Sequence, residues 1–343
     1  MSYIVMRDDS GSEVIAASVT GSSHVRVGKP CQDAFKLAAG MSAEGAWTAA
    51  AVADGHGSAA YIHSNIGATN ACQAALLVLE HAIKRFDGEF EEVRTYFDSD
   101  YMRDVLDVWL LLCRHHFEGL IRSVPDSAIV PDSAESSVWG GAEIDEFAEE
   151  MLSEQKDDID VSAQGSADEG RNISTDSIED VSGTPRFDLR LYGTTLSVAM
   201  VLGDHGFFCR IGDSDIAIAE EGAVPSLVFS DDEDVVGCET HSLCSRNALR
   251  NVERIVLAAT QCRSIFLSTD GLRNSYNEEE KFTRFIGNVG KQSRQFGGDA
   301  LGKILPEALS KISGSGSGDD ITLVAVLNDS VRHMTEFTSN QTS

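Results

Sequence analysis

Apolar positions recur in two rhythms along this chain, and the rhythm changes in blocks. Short apolar runs bounded by Gly, Ser and Asp come first, at 13–20 (EVIAASVT), 33–39 (DAFKLAA) and 47–53 (WTAAAVA), and read as strands. Two longer stretches then carry apolar residues at a spacing of roughly 3.6, as an amphipathic helix requires. In residues 58–86 these are Ile62, Ile66, Ala71, Ala75, Leu79 and Ile83; in 92–122 they are Val105, Val108, Leu111, Leu112 and Leu120. Beyond residue 190 the short runs return. TTLSVAMVL (194–202) and GFFCRI (206–211) flank Asp204-His205 as a hairpin, and DIAIA (215–219) joins SLVF (226–229) through a Glu-Glu-Gly turn. SIFLST (264–269) reads as a buried strand. Helical periods follow near 277–290 and 298–313, then a Gly/Ser turn at 313–318 and a last strand, ITLVAVL, at 321–327. No internal repeat is visible. Strands, a helix pair, strands, a helix pair and a final strand predict stacked sheets covered by helices.

Composition refines this picture in one place. Hydrophobic residues make up 42% of the 343, enough for a sizeable core. Residues 123–190 differ: they hold 18 acids against 4 bases, few large aliphatics, and much Ser, Asp, Glu and Gly. Such a segment buries too little apolar surface to offset its ordering entropy. The expectation is one domain over residues 1–330, interrupted at about 123–190 by an acidic, mobile insertion with one helix at 142–155, and followed by a polar tail at 331–343.

Charge and cysteines narrow the function classes. Lys and Arg number 27 against 55 Asp and Glu, a net −28, and a surface this acidic repels nucleic-acid backbones. The seven cysteines form no CxxC pair, which argues against a zinc knuckle or a thioredoxin-like site. They read as reduced thiols of a cytoplasmic protein. The N-terminus has no basic stretch leading into an apolar one, so no signal peptide is expected. No run of about 18 apolar residues occurs, so no membrane span is expected.

The candidate chemistry lies in aspartates that share a local grammar. Asp54 ends AAAVADGHG, Asp270 ends SIFLSTDG, and Asp319 lies in GSGDDITLVAVL. Each sits at the end of an apolar strand with glycine within one residue, which fixes a carboxylate at a sheet rim and leaves the backbone open to close approach. Taken singly, such a pair is an ordinary turn. Three converging rims would make an oxygen cage suited to Mg²⁺ or Mn²⁺, where zinc would recruit His or Cys. Asp213 (CRIGDSD) and Asp33 (GKPCQDAF) extend the pattern.

In order, GKPCQDAF, VADGHGS, YGTTLSVAMV, IGDSDIAI, LSTDGL and GSGDDITLVAV resemble the metal-dependent protein phosphatase 2C (PPM-type) family, in wording its bacterial branch. The resemblance implies an α+β fold, an αββα sandwich with two central antiparallel sheets flanked by pairs of antiparallel helices. It implies a cytoplasmic, signalling Ser/Thr protein phosphatase in which a hydroxide bridging two Mg²⁺ or Mn²⁺ ions attacks phosphorus directly. Carried over position by position, Asp54 bridges the ions, the Gly55 carbonyl joins one, and Asp270 and Asp319 are ligands. Asp319 rather than Asp320 matches the family's metal acid. Asp33 reaches the second ion through water, and Asp213 shapes the site and helps hold a weaker third ion. His56 falls where the family places its general acid. The implied partners are a phosphorylated protein substrate and a cognate Ser/Thr kinase.

Two positions depart from the family pattern. Gly28 stands where many members carry a phosphate-binding Arg, and Gln32 where Glu is common. Phosphate contact then falls to Arg26, Lys29 or His24, with Arg26 first because its guanidinium fork matches phosphate oxygens. The bland alternative makes Arg26 a solvated strand residue. A second reading of the whole chain is a non-catalytic phosphatase-fold module that binds a phosphoprotein or a basic partner. Other suggestive strings are set aside. GGDALGKI has phosphate-loop spacing, but Ile304 replaces the hydroxyl and no strand precedes it. DSDIA has the paired acids of haloacid-dehalogenase-type phosphatases, but Ala217 replaces their hydroxyl or valine; His115-His116 has no matching ligand pair, and the acids of 143–160 read as a solvated run.

Overall fold

The structure is a computed structural model and describes residues 2–7, 12–123, 186–229 and 241–328. It divides into two compact units, one made of residues 1–113 and 189–343 and the other of 114–188.

In the first unit, one sheet has the order β1 (Ser2–Arg7), β2 (Glu13–Val19), β11 (Ile321–Leu327), β10 (Ser264–Ser268), β7 (Asp215–Ala219) and β8 (Ser226–Leu227). The other runs β3 (Asp33–Ser42), β4 (Gly45–Asp54), β5 (Leu196–Leu202), β6 (His205–Ile211) and β9 (Glu253–Ala258). Every pairing is antiparallel. Among the described residues the α-helices are α1 (Ser22–Val27), α2 (Ser64–Arg85), α3 (Phe90–Ser99), α4 (Tyr101–Ser123), α5 (Asp270–Arg273), α6 (Glu279–Phe296) and α7 (Gly298–Ser315).

Strand periodicity explains the layers. Successive side chains point to opposite faces of a sheet, so a strand buried on both sides is apolar throughout and splits its residues between two cores. Val14 and Ala16 of β2, Ile265 and Leu267 of β10, and Val324 and Val326 of β11 meet Ala50, Val52, Ala199, Val201 and Phe208 of the other sheet. The alternate residues Ile15, Ala17, Val19, Phe266, Leu323 and Ala325 turn outward onto Phe282, Ile286, Leu305 and Leu309 of α6 and α7. On the far side α2 packs on β3 and β4, whose alanines let it approach closely. The first half of α4 ties to α2 through Trp109 Nε1, which donates to the Gly67 carbonyl at 2.9 Å, and the Tyr101 hydroxyl, which donates to that of Ala75 at 3.1 Å. Two antiparallel sheets face each other between helices, an αββα sandwich as expected.

The elements differ from expectation at their margins. Strands β1 and β9 have no counterpart in the sequence reading; both lie at sheet edges and are only part-buried, so their apolar signal is weak. Residues 58–63 form turns, and the first long helix begins at Ser64. The second expected helix breaks at Asp100, which ends α3 and accepts from the Arg103 and Asp104 amides as α4 begins. Arg26 sits on a short helix, with no strand there.

The second unit is described only at 114–123 and 186–188, where the Phe187 ring meets Phe117 edge-on at 5.6 Å and lies under the Arg114 guanidinium. Most of the expected insertion, its helix at 142–155 and the tail beyond 328 lie outside the described residues. Among those that are described, no helix is long and apolar enough to cross a membrane.

Candidate metal centre

Strand register brings the acidic ends together. Asp33, opening β3, pairs directly opposite Asp54, which closes β4. In the facing sheet β10 ends at Ser268 beside the first residue of β7, Asp215, and opposite Leu323 near the start of β11. Asp213, Asp270 and Asp319 therefore enter or leave that sheet on one side. The two rims meet where Thr269 Oγ1 donates to Asp33 Oδ2 at 2.7 Å.

Backbone contacts hold this rim in place. Asp54 is clamped by the two residues that lead into β5: its amide donates to Thr195 Oγ1 at 3.0 Å, and its carbonyl accepts from the Thr195 amide at 2.9 Å and Thr194 Oγ1 at 2.8 Å. Gly55 bridges to Thr194, and its amide donates to the Gln32 carbonyl at 3.1 Å. A Cβ on Gly55 would lie 2.6 Å from that same oxygen, so glycine is required by close approach. Gln32 donates its side-chain amide to Ser64 Oγ at 2.6 Å and to the His56 carbonyl at 3.3 Å. Asp320 accepts from the amides of Gly21 at 2.6 Å and Gln32 at 2.7 Å, joining the start of α1, the approach to β3 and the head of β11.

The candidate acids then crowd one another. The Asp54 and Asp270 carboxyls act on each other, and Asp33 and Asp319 act on Asp54 as well. Burial, and then the charges of Asp33 and Asp270, hold Asp54 far above the usual carboxylate range. Burial and the charge of Asp320 do the same to Asp33. Asp270 is pushed up to about 6 by burial, with Asp213 and Asp319 adding to the rise. Asp33 Oδ1 and Asp270 Oδ1 are buried without a hydrogen-bond partner. Buried, unpaired carboxylate oxygens are costly in isolation and are natural ligands of a hard cation. The donor set is all oxygen, which suits Mg²⁺ or Mn²⁺. The residues present fit such ions.

Placement of the other candidates is uneven. His56 follows Asp54 and Gly55 on the same loop; burial lowers its basicity and the charge of Asp213 partly offsets that. His24 Nδ1 lies 2.9 Å from Asp320 Oδ2, at ion-pair distance without hydrogen-bond alignment, and is directed at the acid cluster. One ligand atom from each of His24, Asp319 and Asp320 falls within 4.8 Å of the others. Lys29 Nζ donates to the Gly57 carbonyl at 2.7 Å, and Arg26 is exposed on α1. Gly28 caps α1 with φ of 70°, a left-handed conformation that disfavours arginine. Cys31 is no competing nucleophile, because burial and the charges of Asp33 and Asp320 push its thiol up to about 12.

A scan against protein families matches residues 20–310 to the family described as Protein phosphatase 2C. The chain belongs to that family. No curated protein matches it. Among solved structures it is similar to the S. agalactiae serine/threonine phosphatase, with 15% identity, 93% of this chain and 100% of that one covered, and a TM-score of 0.46. It is also similar to the catalytic domain of the phosphatase PstP in complex with two manganese ions, with 16% identity, coverage of 92% and 97%, and a TM-score of 0.43. RsbX in complex with magnesium matches at 10% identity, with coverage of 95% and 98% and a TM-score of 0.41. Within this protein phosphatase 2C chain, sequence reasoning missed the support around the acids. Thr195, Thr269, Asp320 and the side chain of Gln32 carry no local signal that separates them from ordinary strand-end residues.

Proposed function

We propose that this chain is a cytoplasmic, Mg²⁺- or Mn²⁺-dependent Ser/Thr protein phosphatase acting on the products of a Ser/Thr kinase. One observation carries the reading: acids from strand ends far apart in sequence converge with two buried oxygens unpaired, in a chain of this family. Asp54, Asp270, Asp319 and the Gly55 carbonyl would hold two ions, with Asp33 behind them and Asp213 beside a third, weaker position. Ions bound there would supply Lewis acidity, lowering the pKa of water and offsetting phosphoryl charge that carboxylates alone repel. Arg26 binds phosphoryl oxygens at the mouth of the site, assisted by Lys29 and His24. His56 donates its proton to the departing serine or threonine oxygen while water adds to phosphorus, a step typically worth about 10²–10⁴-fold.

The test is turnover of a phosphothreonine peptide and p-nitrophenyl phosphate by purified protein with MnCl₂. Wild type turns over both, and Asp54→Asn loses at least about 100-fold. Undiminished turnover in that variant overturns the assignment. A non-catalytic phosphoprotein-binding module is the second reading, favoured by Gly28 in place of arginine; tight phosphopeptide binding without turnover in wild type would establish it.

A further inference from the structure

We infer that Tyr61 is a positioning residue for the His56 imidazole, with Gly193 as the floor on which both rings rest. The inference rests on the phosphatase reading above for its consequence and on local geometry for its substance.

The backbone of His56 is pinned at both ends. Its amide donates to the Gly193 carbonyl at 3.1 Å, and its own carbonyl accepts from Gln32 Nε2 at 3.3 Å. What remains is rotation of the side chain, and two contacts restrict it. The Tyr61 ring meets the imidazole edge-on, centroids 4.8 Å apart and planes at 63°. An added Cβ on Gly193 would lie 2.5 Å from Tyr61 Cδ1 and 2.8 Å from His56 Cδ2, so both rings sit over the bare glycine. Edge-to-face ring pairs contribute about 0.5–1.5 kcal/mol, enough to favour one rotamer over another.

Tyr61 is itself well anchored. Its amide donates to the Ser58 carbonyl and its carbonyl accepts from the Ser64 amide, both at 3.0 Å, which places the ring at the entry to α2. The imidazole thus has an aromatic wall on one side and feels the charge of Asp213 from elsewhere. The same segment that carries Gly193 also clamps Asp54 through Thr194 and Thr195. One short stretch of chain therefore sets the proton donor and the acid cluster relative to each other.

A chemical consequence follows that packing alone would not produce. When the P–O bond to threonine breaks, the alkoxide must take a proton, and His56 supplies it; a p-nitrophenolate leaves without one. A misaimed donor therefore slows the first reaction and spares the second. The experiment uses the full-length protein with MnCl₂, comparing Tyr61→Leu, Tyr61→Phe and Gly193→Ala with wild type. The ratio of turnover on a phosphothreonine peptide to that on p-nitrophenyl phosphate is read in each preparation, which cancels any loss of folded protein. The ratio is expected to fall about tenfold in Tyr61→Leu and Gly193→Ala and to hold in Tyr61→Phe. In parallel, proton NMR of the His56 ring is expected to show its ring-current shift lost in Tyr61→Leu and kept in Tyr61→Phe. An unchanged ratio in Tyr61→Leu overturns the proposal, as does loss of the ratio in Tyr61→Phe. If wild type turns over neither substrate, the phosphatase reading fails; the NMR shift then decides alone, and an unmoved His56 resonance in Tyr61→Leu overturns the positioning.

Discussion

Replacing Asp270 with asparagine should stabilise the metal-free protein and weaken its response to manganese. Asp270 is pushed up to about 6 in the folded chain from an ordinary 3.8, by burial and by the charges of Asp213 and Asp319. A folded value raised in this way gives stability that is intact below 3.8 and lost as pH climbs through about 6. Above that, ionising Asp270 costs the fold on the order of 3 kcal/mol. Asparagine is neutral at every pH, can still accept from Asn274 Nδ2 (2.9 Å to Asp270 Oδ2 in the wild type) and can donate to Asp54. Against this stands about 0.3–1 kcal/mol for losing a negative charge in the first turn of a helix. A net gain of about 2 kcal/mol remains, or roughly 4–8 °C in Tm for a domain of this size.

The assay is thermal melting in EDTA at pH 8 and pH 5, and again with MnCl₂ at pH 8. In EDTA at pH 8 the variant should melt above wild type, and at pH 5 the gap should narrow to about half. With manganese the order should invert: wild type gains about 2.7 kcal/mol at a hundredfold excess over Kd, and the variant, short of a ligand, gains much less. A variant that melts below wild type in EDTA at pH 8 refutes the electrostatic argument. Equal shifts with manganese in both proteins refute Asp270 as a ligand.

Three further outcomes are expected. Gln32→Glu removes the donor to Ser64 Oγ and to the His56 carbonyl at a buried position, and should cost about 1–3 kcal/mol by urea unfolding. Trp109→Phe leaves the Gly67 carbonyl without its indole partner and should cost about 1–3 kcal/mol with little change in manganese affinity by calorimetry. Deleting residues 126–184 should leave a protein with a cooperative melt and a manganese-induced shift, since the excised sequence is acidic and poor in large aliphatics; loss of the transition would show that the segment packs.

What the sequence disclosed and what it concealed follow one physical divide. The strand-end placement of Asp54, Asp270 and Asp319 was legible because each is written locally, as an acid beside a glycine at the end of a mostly apolar strand, and such strands are buried on both faces. The sandwich was legible for the same reason: β4, β10 and β11 are mostly apolar and buried along most of their length, whereas the edge strands β1 and β9 face solvent on much of their surface and read as loops. The supporting residues were not legible, because their roles lie in contacts across long separations. Thr195 meets Asp54 from 141 residues away, and Asp320 meets Gln32 from 288. Neither residue type announces such a partner. Tyr61 is the sharpest case: in sequence it is one aromatic in a turn, and its meaning comes only from a glycine 132 residues later whose missing side chain leaves room for two rings. Charge at strand ends can be read from the chain itself; the seat that aims those charges belongs to tertiary contact, and the variants that separate the two are those at Tyr61, Gln32 and Gly193.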